Sequence, residues 1–288
     1  METNSAAALT TLKPELYVAS NRWQWRQNLL ALERFQKSFK RDAQGEEQYL
    51  DLGCGTGDFT RECLLPRCLP CRRIVAVDVS KDMVEYARSH FAHPKIAYDV
   101  LGAAEDDVSG FVARYGRFDH VFSFFCLNWV KDQAKALKNI ALLMKPGGSC
   151  LLLFVATTPL MRCRQELALR TRWEKYAQIC QDFVPPTHDL KGTDALELYM
   201  KDLLMTANLT PLACDVVHVE LDFPDLESLT RSHLAMSPMT TLVTEEERPL
   251  FLEDMKEQAR KLWAIKEAGG SPFEFDIFVV FASSKVLP

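Results

Sequence analysis

Five short apolar runs, spaced by stretches of helical periodicity, organise the first half of the chain. They are Gln48 to Leu52, Ile74 to Asp78, Lys95 to Leu101, Phe118 to Phe125 and Ser149 to Val155. Ile74-Val75-Ala76-Val77-Asp78 is continuously apolar until its last residue, as a strand buried on both faces is. Between the runs lie helical segments: Asp58 to about Leu65, one that Ser80 can cap and that runs to about His90, and Trp129 to Met144. Lys145-Pro146-Gly147-Gly148 closes the last of these as a helix stop and turn. Strands alternating with helices at this spacing predict βαβ units and a mostly parallel sheet. The alternation resumes with a helix over Thr193 to Ala207 and strands over Asp215 to Leu221 and Phe273 to Ser283.

Four stretches fall outside this rhythm. Residues 1–14 read as disordered and end at Pro14, and Glu15 to about Lys40 is helical. Leu16, Tyr17, Ser20, Trp23, Gln24 and Gln27 share one stripe of that helix, which is unusually polar for a core face. Ala156 to Gly192 and Asp222 to Gly270 are helical insertions, the second with Thr244-Glu245-Glu246-Glu247 opening a long helix. Leu226, Leu229, Leu234, Met236, Met239, Leu250, Phe251, Met255 and Trp263 form either a lipophilic cap or ordinary core. No repeat or linker divides the chain. The expectation is one domain over 15–288: a cap helix (15–47), a ligand-binding core (48–155), lid insertions (156–192 and 222–270), and segments completing the sheet (193–221 and 271–288).

Composition narrows the class. At 48% hydrophobic, 25% charged and 10% aromatic residues, the chain is an ordinary packed one, which excludes disorder, collagen and coiled coil. Its net charge of −5 lacks the basic footprint of a nucleic-acid binder. The longest apolar run, Cys150 to Ala156, is far short of the ~20 residues of a membrane span. The N-terminus lacks the basic and apolar regions of a signal peptide, so a cytoplasmic protein is expected. Nine cysteines in a long chain without an export signal read as reduced thiols. Cys63, Cys68 and Cys71 are spaced like part of a ferredoxin ligand run. No second C-x-x-C or H-x-x-H partner accompanies them, so they are read as plain loop cysteines and no metal is expected.

The informative motif is Leu50-Asp51-Leu52-Gly53-Cys54-Gly55-Thr56-Gly57. It follows a strand and opens a helix, so its backbone N–H groups face a crevice at the strand ends. A dinucleotide loop places its third glycine one residue later. Asp51, entering the loop, would repel a pyrophosphate. It suits a ligand carrying an ammonium and a sulfonium, as S-adenosylmethionine does. Asp78, ending the second strand, can accept both hydrogen bonds of a ribose diol; NAD would use the same acid, so Asp78 does not discriminate.

Asp51 to Gly57, with Asp78 and Lys145-Pro146-Gly147-Gly148, resembles the class I S-adenosylmethionine-dependent methyltransferases. Phe118 to Val130 is similar to the fourth-strand segment of the arthropod juvenile hormone acid and farnesoic acid O-methyltransferases. Leu16-Tyr17, Ser20-Asn21, Gln24 and Arg26 resemble that family's first helix, and Cys150 to Phe154 its fifth strand. The resemblance implies an α/β, Rossmann-like, seven-stranded, mostly parallel sheet with the last strand antiparallel, flanked by helices and carrying helical lid insertions. It implies S-adenosyl-L-methionine as cofactor, held by Tyr17, Asp51, Gly53, Cys54, Gly55, Gly57, Asp78, Val79, Met83, Gly102, Ala103 and Ser123. It gives Gln24 and Trp129 the substrate carboxylate, with Phe125 and Asn128 beside the substrate.

Two departures stand out. Asn128 occupies a position where the family usually has His. Leu101-Gly102-Ala103-Ala104 stands where it often has an Asp, leaving Glu105, Asp106 or a main-chain carbonyl for the adenine amine. The implied reaction needs no base: a carboxylic acid of pKa ~4.3 is ionised at pH 7. The six scattered histidines define no base constellation. The implied partner is a small carboxylic acid, with neither nucleic acid nor membrane span. A polar acid such as aconitate, an amine, a phenol, or a cofactor-binding module without catalysis remain alternatives.

Overall fold

The computed structural model describes residues 13–39, 44–104, 107–182, 184–235 and 237–285. The expected disorder over residues 1–12, the adenine contacts of Glu105 and Asp106, and the cap residue Met236 lie outside the described residues.

Seven strands form one sheet: β1 (Gln48–Leu52), β2 (Arg73–Asp78), β3 (Ile96–Val100), β4 (Phe118–Phe124), β5 (Met144–Thr157), β6 (Leu209–Glu220) and β7 (Glu274–Ser284). Their order is β3-β2-β1-β4-β5-β7-β6. β1 pairs parallel with both β2 and β4, while β7 runs antiparallel between β5 and β6. The strand order reverses at β1 and β4, which opens a crevice at their C-terminal ends.

Side chains alternate between two apolar layers along each strand, as the two-residue period requires. Leu50, Val75, Val121, Leu152 and Val280 lie in one layer. Tyr49, Ile74, Phe122, Leu151 and Val279 lie in the other. The first layer is covered by α5 (Val108–Tyr115), α6 (Gln133–Leu143) and α9 (Thr193–Thr206). The second is covered by α2 (Arg22–Phe35), α3 (Leu65–Cys68) with the π-turn before it, and α11 (Arg248–Glu267).

The expected helix over 15–40 is two helices, α1 (Pro14–Ser20) and α2, which break at Asn21. The amide of this buried residue donates to Asp58 at 2.9 Å, and its backbone (φ −88°, ψ 7°) leaves the helical path. Ser80 does cap α4 (Lys81–His90), accepting from the Met83 N–H at 3.4 Å. The helix expected from Trp129 starts at Gln133, after a 3₁₀ turn over Leu127–Trp129, because Asp132 caps it by accepting from the Lys135 N–H. The expected turn at Lys145 to Gly148 is drawn into β5. β6 begins at Leu209, earlier than expected, where it gains a partner in β7. Helix α5, capped by Asp107, is short and was not anticipated.

The segments outside the sheet add α7 (Pro159–Ala168), α8 (Ala177–Asp182), α10 (Leu226–Ala235) and most of α11. A third apolar cluster joins them, with Trp173, Tyr176, Ile179, Met239, Phe251 and Met255. Leu226, Leu229 and Trp263 belong instead to the layer under the sheet, and Leu250 is exposed. Asp254, buried in α11, ties the two insertions together. It accepts from the Arg170 guanidinium and from the Trp173 indole N–H, each at 2.6 Å.

Removing a buried acceptor strands its donors. Asp254→Ala is expected to lower stability by about 3 kcal/mol, read as a lower urea midpoint. An unchanged midpoint would show that apolar contacts alone join the two insertions.

Candidate active site

The loop after β1 turns on Gly53, Gly55 and Gly57, with φ of 82°, 54° and 76°. Their roles differ. A Cβ on Gly53 would fall 2.4 Å from Cys126 Cβ, and one on Gly57 would fall 2.7 Å from Ala87 Cβ and 2.8 Å from the Tyr98 ring. These two glycines let the loop pack against the end of β4 and against α4. A Cβ on Gly55 would meet only the Tyr17 ring, at 3.4 Å. The Gly55 N–H donates to Asp78 Oδ2 at 2.9 Å, and the Ser80 N–H donates to Asp78 Oδ1 at 2.9 Å. These bonds hold Asp78 at the rim of the crevice.

A cavity of ≈ 340 Å³ occupies the crevice. Of the residues expected from sequence it is lined by Tyr17, Gly53, Gly55, Asp78, Val79, Met83, Gly102, Ala103, Phe125 and Trp129. A smaller compartment of ≈ 30 Å³ adjoins it, sharing Tyr17, Gly53, Phe124 and Phe125, and takes in Gln24, Asp51 and Cys54. Gln24 and Trp129 therefore face different compartments that meet at Tyr17 and Phe125. Gly57, Ser123 and Asn128 line neither. The Ser123 hydroxyl donates to the Leu52 carbonyl at 2.9 Å, tying β4 to the loop. With its amide turned so that both polar atoms are satisfied, Asn128 donates to the Phe125 carbonyl (3.1 Å) and accepts from the Trp129 indole N–H (3.0 Å).

The structure also brings in residues that the motif reading missed. Lys131 and Lys135 stand at the larger cavity, and Asn21, Trp25, Asn28 and Asp58 at the smaller. The last four belong to the polar character already visible in the first helix and to the loop's exit. Phe125 has φ 52°, an outlier for a bulky residue and a mark of strain where β4 meets the cavity. Cys63, Cys68 and Cys71 are buried in the apolar layer beneath α2.

The electrostatics of the smaller compartment are one-sided among the described residues, whereas Lys131 and Lys135 line the larger cavity. Asp51 accepts from the Thr60 hydroxyl at 2.6 Å. Asp58 accepts from Asn21 (2.9 Å) and from the Thr56 hydroxyl (2.8 Å). All these donors are neutral. Burial raises the Asp51 carboxyl to about 7, despite the Thr60 bond. Burial raises Asp78 as well, against the Ser80 and Gly55 N–H bonds. The Tyr17 phenol is raised by burial and by Asp58 and Asp78. Burial lifts the Cys126 thiol to about 12 and Cys54 well above its ordinary value, so neither is a thiolate nucleophile at neutral pH. Neither compartment is lined by a histidine. Carboxylates held by neutral donors, beside an open glycine face, fit a cationic nucleoside-like ligand.

A family model described as a methyltransferase domain matches residues 50–152. The juvenile hormone acid O-methyltransferase of Bombyx mori is 30% identical over 250 residues, covering 86% of this chain and 86% of its own length. The Drosophila melanogaster protein of the same name is 35% identical over 176 residues, covering 60% of this chain and 58% of its own. The fold is shared with Haemonchus contortus phosphoethanolamine N-methyltransferase 2, solved with phosphomonomethylethanolamine and S-adenosylhomocysteine. That structure aligns at TM-score 0.54 and 18% identity, over 99% of this chain and 61% of the other. The chain belongs to the class I S-adenosylmethionine-dependent methyltransferases. Within that class it resembles the juvenile hormone acid O-methyltransferases, and its cofactor is S-adenosylmethionine. Among the described residues, no helix is long and apolar enough to cross a membrane.

Asp51, on the compartment beside the glycine loop, is expected to make cofactor binding pH-dependent. Its folded value of about 7 exceeds its ordinary 3.8. Its contribution to the ligand-free fold is therefore fully present below the ordinary value and lost as pH rises through about 7. A bound cation draws the carboxyl's pKa down, so binding releases a proton below about pH 7. Affinity for S-adenosylmethionine is expected to climb from about pH 6 to about pH 8, by at most roughly tenfold per unit. Asp51→Asn keeps an acceptor for Thr60. It is expected to flatten that slope, weaken binding, and raise the ligand-free melting temperature at alkaline pH. Calorimetric titration across this range is the check; equal slopes in both proteins would remove Asp51 from the linkage.

Proposed function

We propose that this methyltransferase esterifies a small lipophilic carboxylic acid of the farnesoic or juvenile hormone acid type. One observation carries the reading: Trp129 lines the larger cavity and also packs against the apolar cluster that the two insertions build. The indole thus stands between the cofactor crevice and a lipophilic lid. The likeness to the Bombyx mori juvenile hormone acid O-methyltransferase supports it.

In this reading Asp78 takes the ribose diol, with Val79, Met83, Gly102 and Ala103 around the adenosine. Asp51, Gly53, Cys54, Gly55 and Tyr17 take the amino-acid side. Gly57 and Ser123 act through the loop's shape, the first by packing and the second by its bond to Leu52. When bound, the cofactor supplies an electrophilic methyl on a sulfonium. The acid is already ionised at neutral pH and needs no base. The protein's work is to orient the carboxylate and exclude water, and orientation can contribute roughly 7–11 kcal/mol.

Trp129 and Gln24, facing the two compartments on either side of Phe125, supply neutral N–H donors. Asn128 sets the indole's direction. Its neutral amide oxygen holds the Trp129 N–H, and a substrate carboxylate competes for that proton with the stronger, charge-assisted bond. Neutral donors aim the carboxylate without the quenching that a paired cation would impose on its nucleophilicity.

Incubation with labelled cofactor and farnesoic acid is expected to yield the methyl ester. Trp129→Phe and Gln24→Ala are each expected to lower turnover by about tenfold to a hundredfold, Trp129→Phe with cofactor affinity retained. Intact cofactor binding without ester formation rejects this substrate class. Full activity in both variants rejects the assigned donors.

A further inference from the structure

The first-helix face that closes the smaller compartment carries two polar groups that the fold leaves unused. Asn21, Gln24, Trp25 and Asn28 stand at steps of three and one along α2 and line the compartment together, as one helical face does. Asn21 is committed to Asp58. The buried Trp25 Nε1–H and Asn28 Oδ1 have no hydrogen-bond partner among the described residues. Asn28 is only 5% exposed, and the Trp25 ring is fixed edge-on against Phe59 at 5.5 Å. A buried donor and a buried acceptor left open at one compartment are costly to the fold. They are retained where a ligand completes them.

The surroundings define that ligand. Asp51, Gly53, Cys54 and Asp58 also line it, and among the described residues the lining includes neither Lys nor Arg. At ≈ 30 Å³ the compartment admits the polar end of a molecule whose body lies in the adjoining cavity of ≈ 340 Å³. That end needs an acceptor for Trp25, a donor for Asn28, and positive charge to face two carboxylates. A zwitterionic α-amino acid head has all three.

We propose that Trp25 and Asn28 are receptor residues for the amino-acid end of S-adenosylmethionine: the Trp25 indole N–H donates to its carboxylate, and Asn28 Oδ1 accepts from its ammonium. Asp51 and Asp58 balance the ammonium's charge across the compartment, and the carboxylate is bound by a neutral donor. This assignment rests on the cofactor and stands apart from the identity of the acid substrate.

The test is calorimetric and independent of turnover. The probes are S-adenosylhomocysteine, decarboxylated S-adenosylmethionine (no carboxylate) and 5′-methylthioadenosine (no amino-acid end). Trp25→Phe keeps the ring and removes the N–H. It is expected to weaken S-adenosylhomocysteine about tenfold, leaving the other two unchanged. Asn28→Leu is expected to weaken S-adenosylhomocysteine and decarboxylated S-adenosylmethionine to a similar degree and to spare 5′-methylthioadenosine. If all three probes weaken equally in either variant, that residue is only structural and its assignment fails. If neither variant weakens S-adenosylhomocysteine, water fills the compartment and the proposal is overturned. Failure of the unmodified protein to bind any probe would instead overturn the cofactor itself.

Discussion

Carboxylates buried or half-buried at the ends of neighbouring parallel strands set the terms for the rest of the molecule. Asp51 and Asp78 close β1 and β2, and Asp58 follows at the loop's exit. Their hydrogen bonds come from backbone N–H groups, hydroxyls and one amide, all neutral. Such donors ease burial but do not cancel charge, so burial still raises Asp51 and Asp78. The glycine loop, the break at Asn21 and the docking of α2 all serve to hold these groups in place. In the proposed reading, a sulfonium and an ammonium then find a field prepared in a low-dielectric crevice, where attraction is stronger than in water.

The part of this arrangement that is contiguous in the chain is readable without coordinates. Asp51, three glycines at alternate positions and an acid ending the next strand lie within one βαβ unit, so spacing alone places them at the crevice. The sheet is equally legible, because its central strands are short apolar runs between helices. What sequence hides depends on distant partners. Asn21 breaks the first helix because Asp58, far along the chain, recruits its amide. Gly57 resembles its neighbours in the motif, yet its demand for space comes from Ala87 and Tyr98. The partly polar stripe of the first helix hinted that it served more than core, but the face at Asn21, Gln24, Trp25 and Asn28 acquires meaning only once α2 lies over the loop. The strain at Phe125 has no sequence signal at all.

The apolar residues of the later insertion make the same point. Helical spacing marks Leu226, Leu229, Met239, Phe251, Met255 and Trp263 alike. Packing divides them: some seal the underside of the sheet and others join the cluster beside Trp129. In the proposed reading, only the second group can shape what the substrate meets. Asp254 fixes that cluster by binding Arg170 and Trp173 from the other insertion, so the wall behind Trp129 is made by two segments distant in sequence.

In the proposed reading, Trp129 and Asn128 let a crevice built around negative charge manage a carboxylate. A cation near enough to hold the acid would also pair with Asp51 or Asp78, remove the field that favours the cofactor, and lower the acid's nucleophilicity. Neutral N–H donors avoid both effects, because they direct an oxygen lone pair while adding no net charge. The bond from the Trp129 indole to Asn128 keeps such a donor satisfied within the protein, so it carries no desolvation penalty before substrate arrives. The cost falls instead on the ionised Asp51, and it falls most heavily on the ligand-free protein above neutral pH. A site of this kind gives up stability in order to bind, and its least comfortable carboxylate is the group that a cationic ligand relieves most.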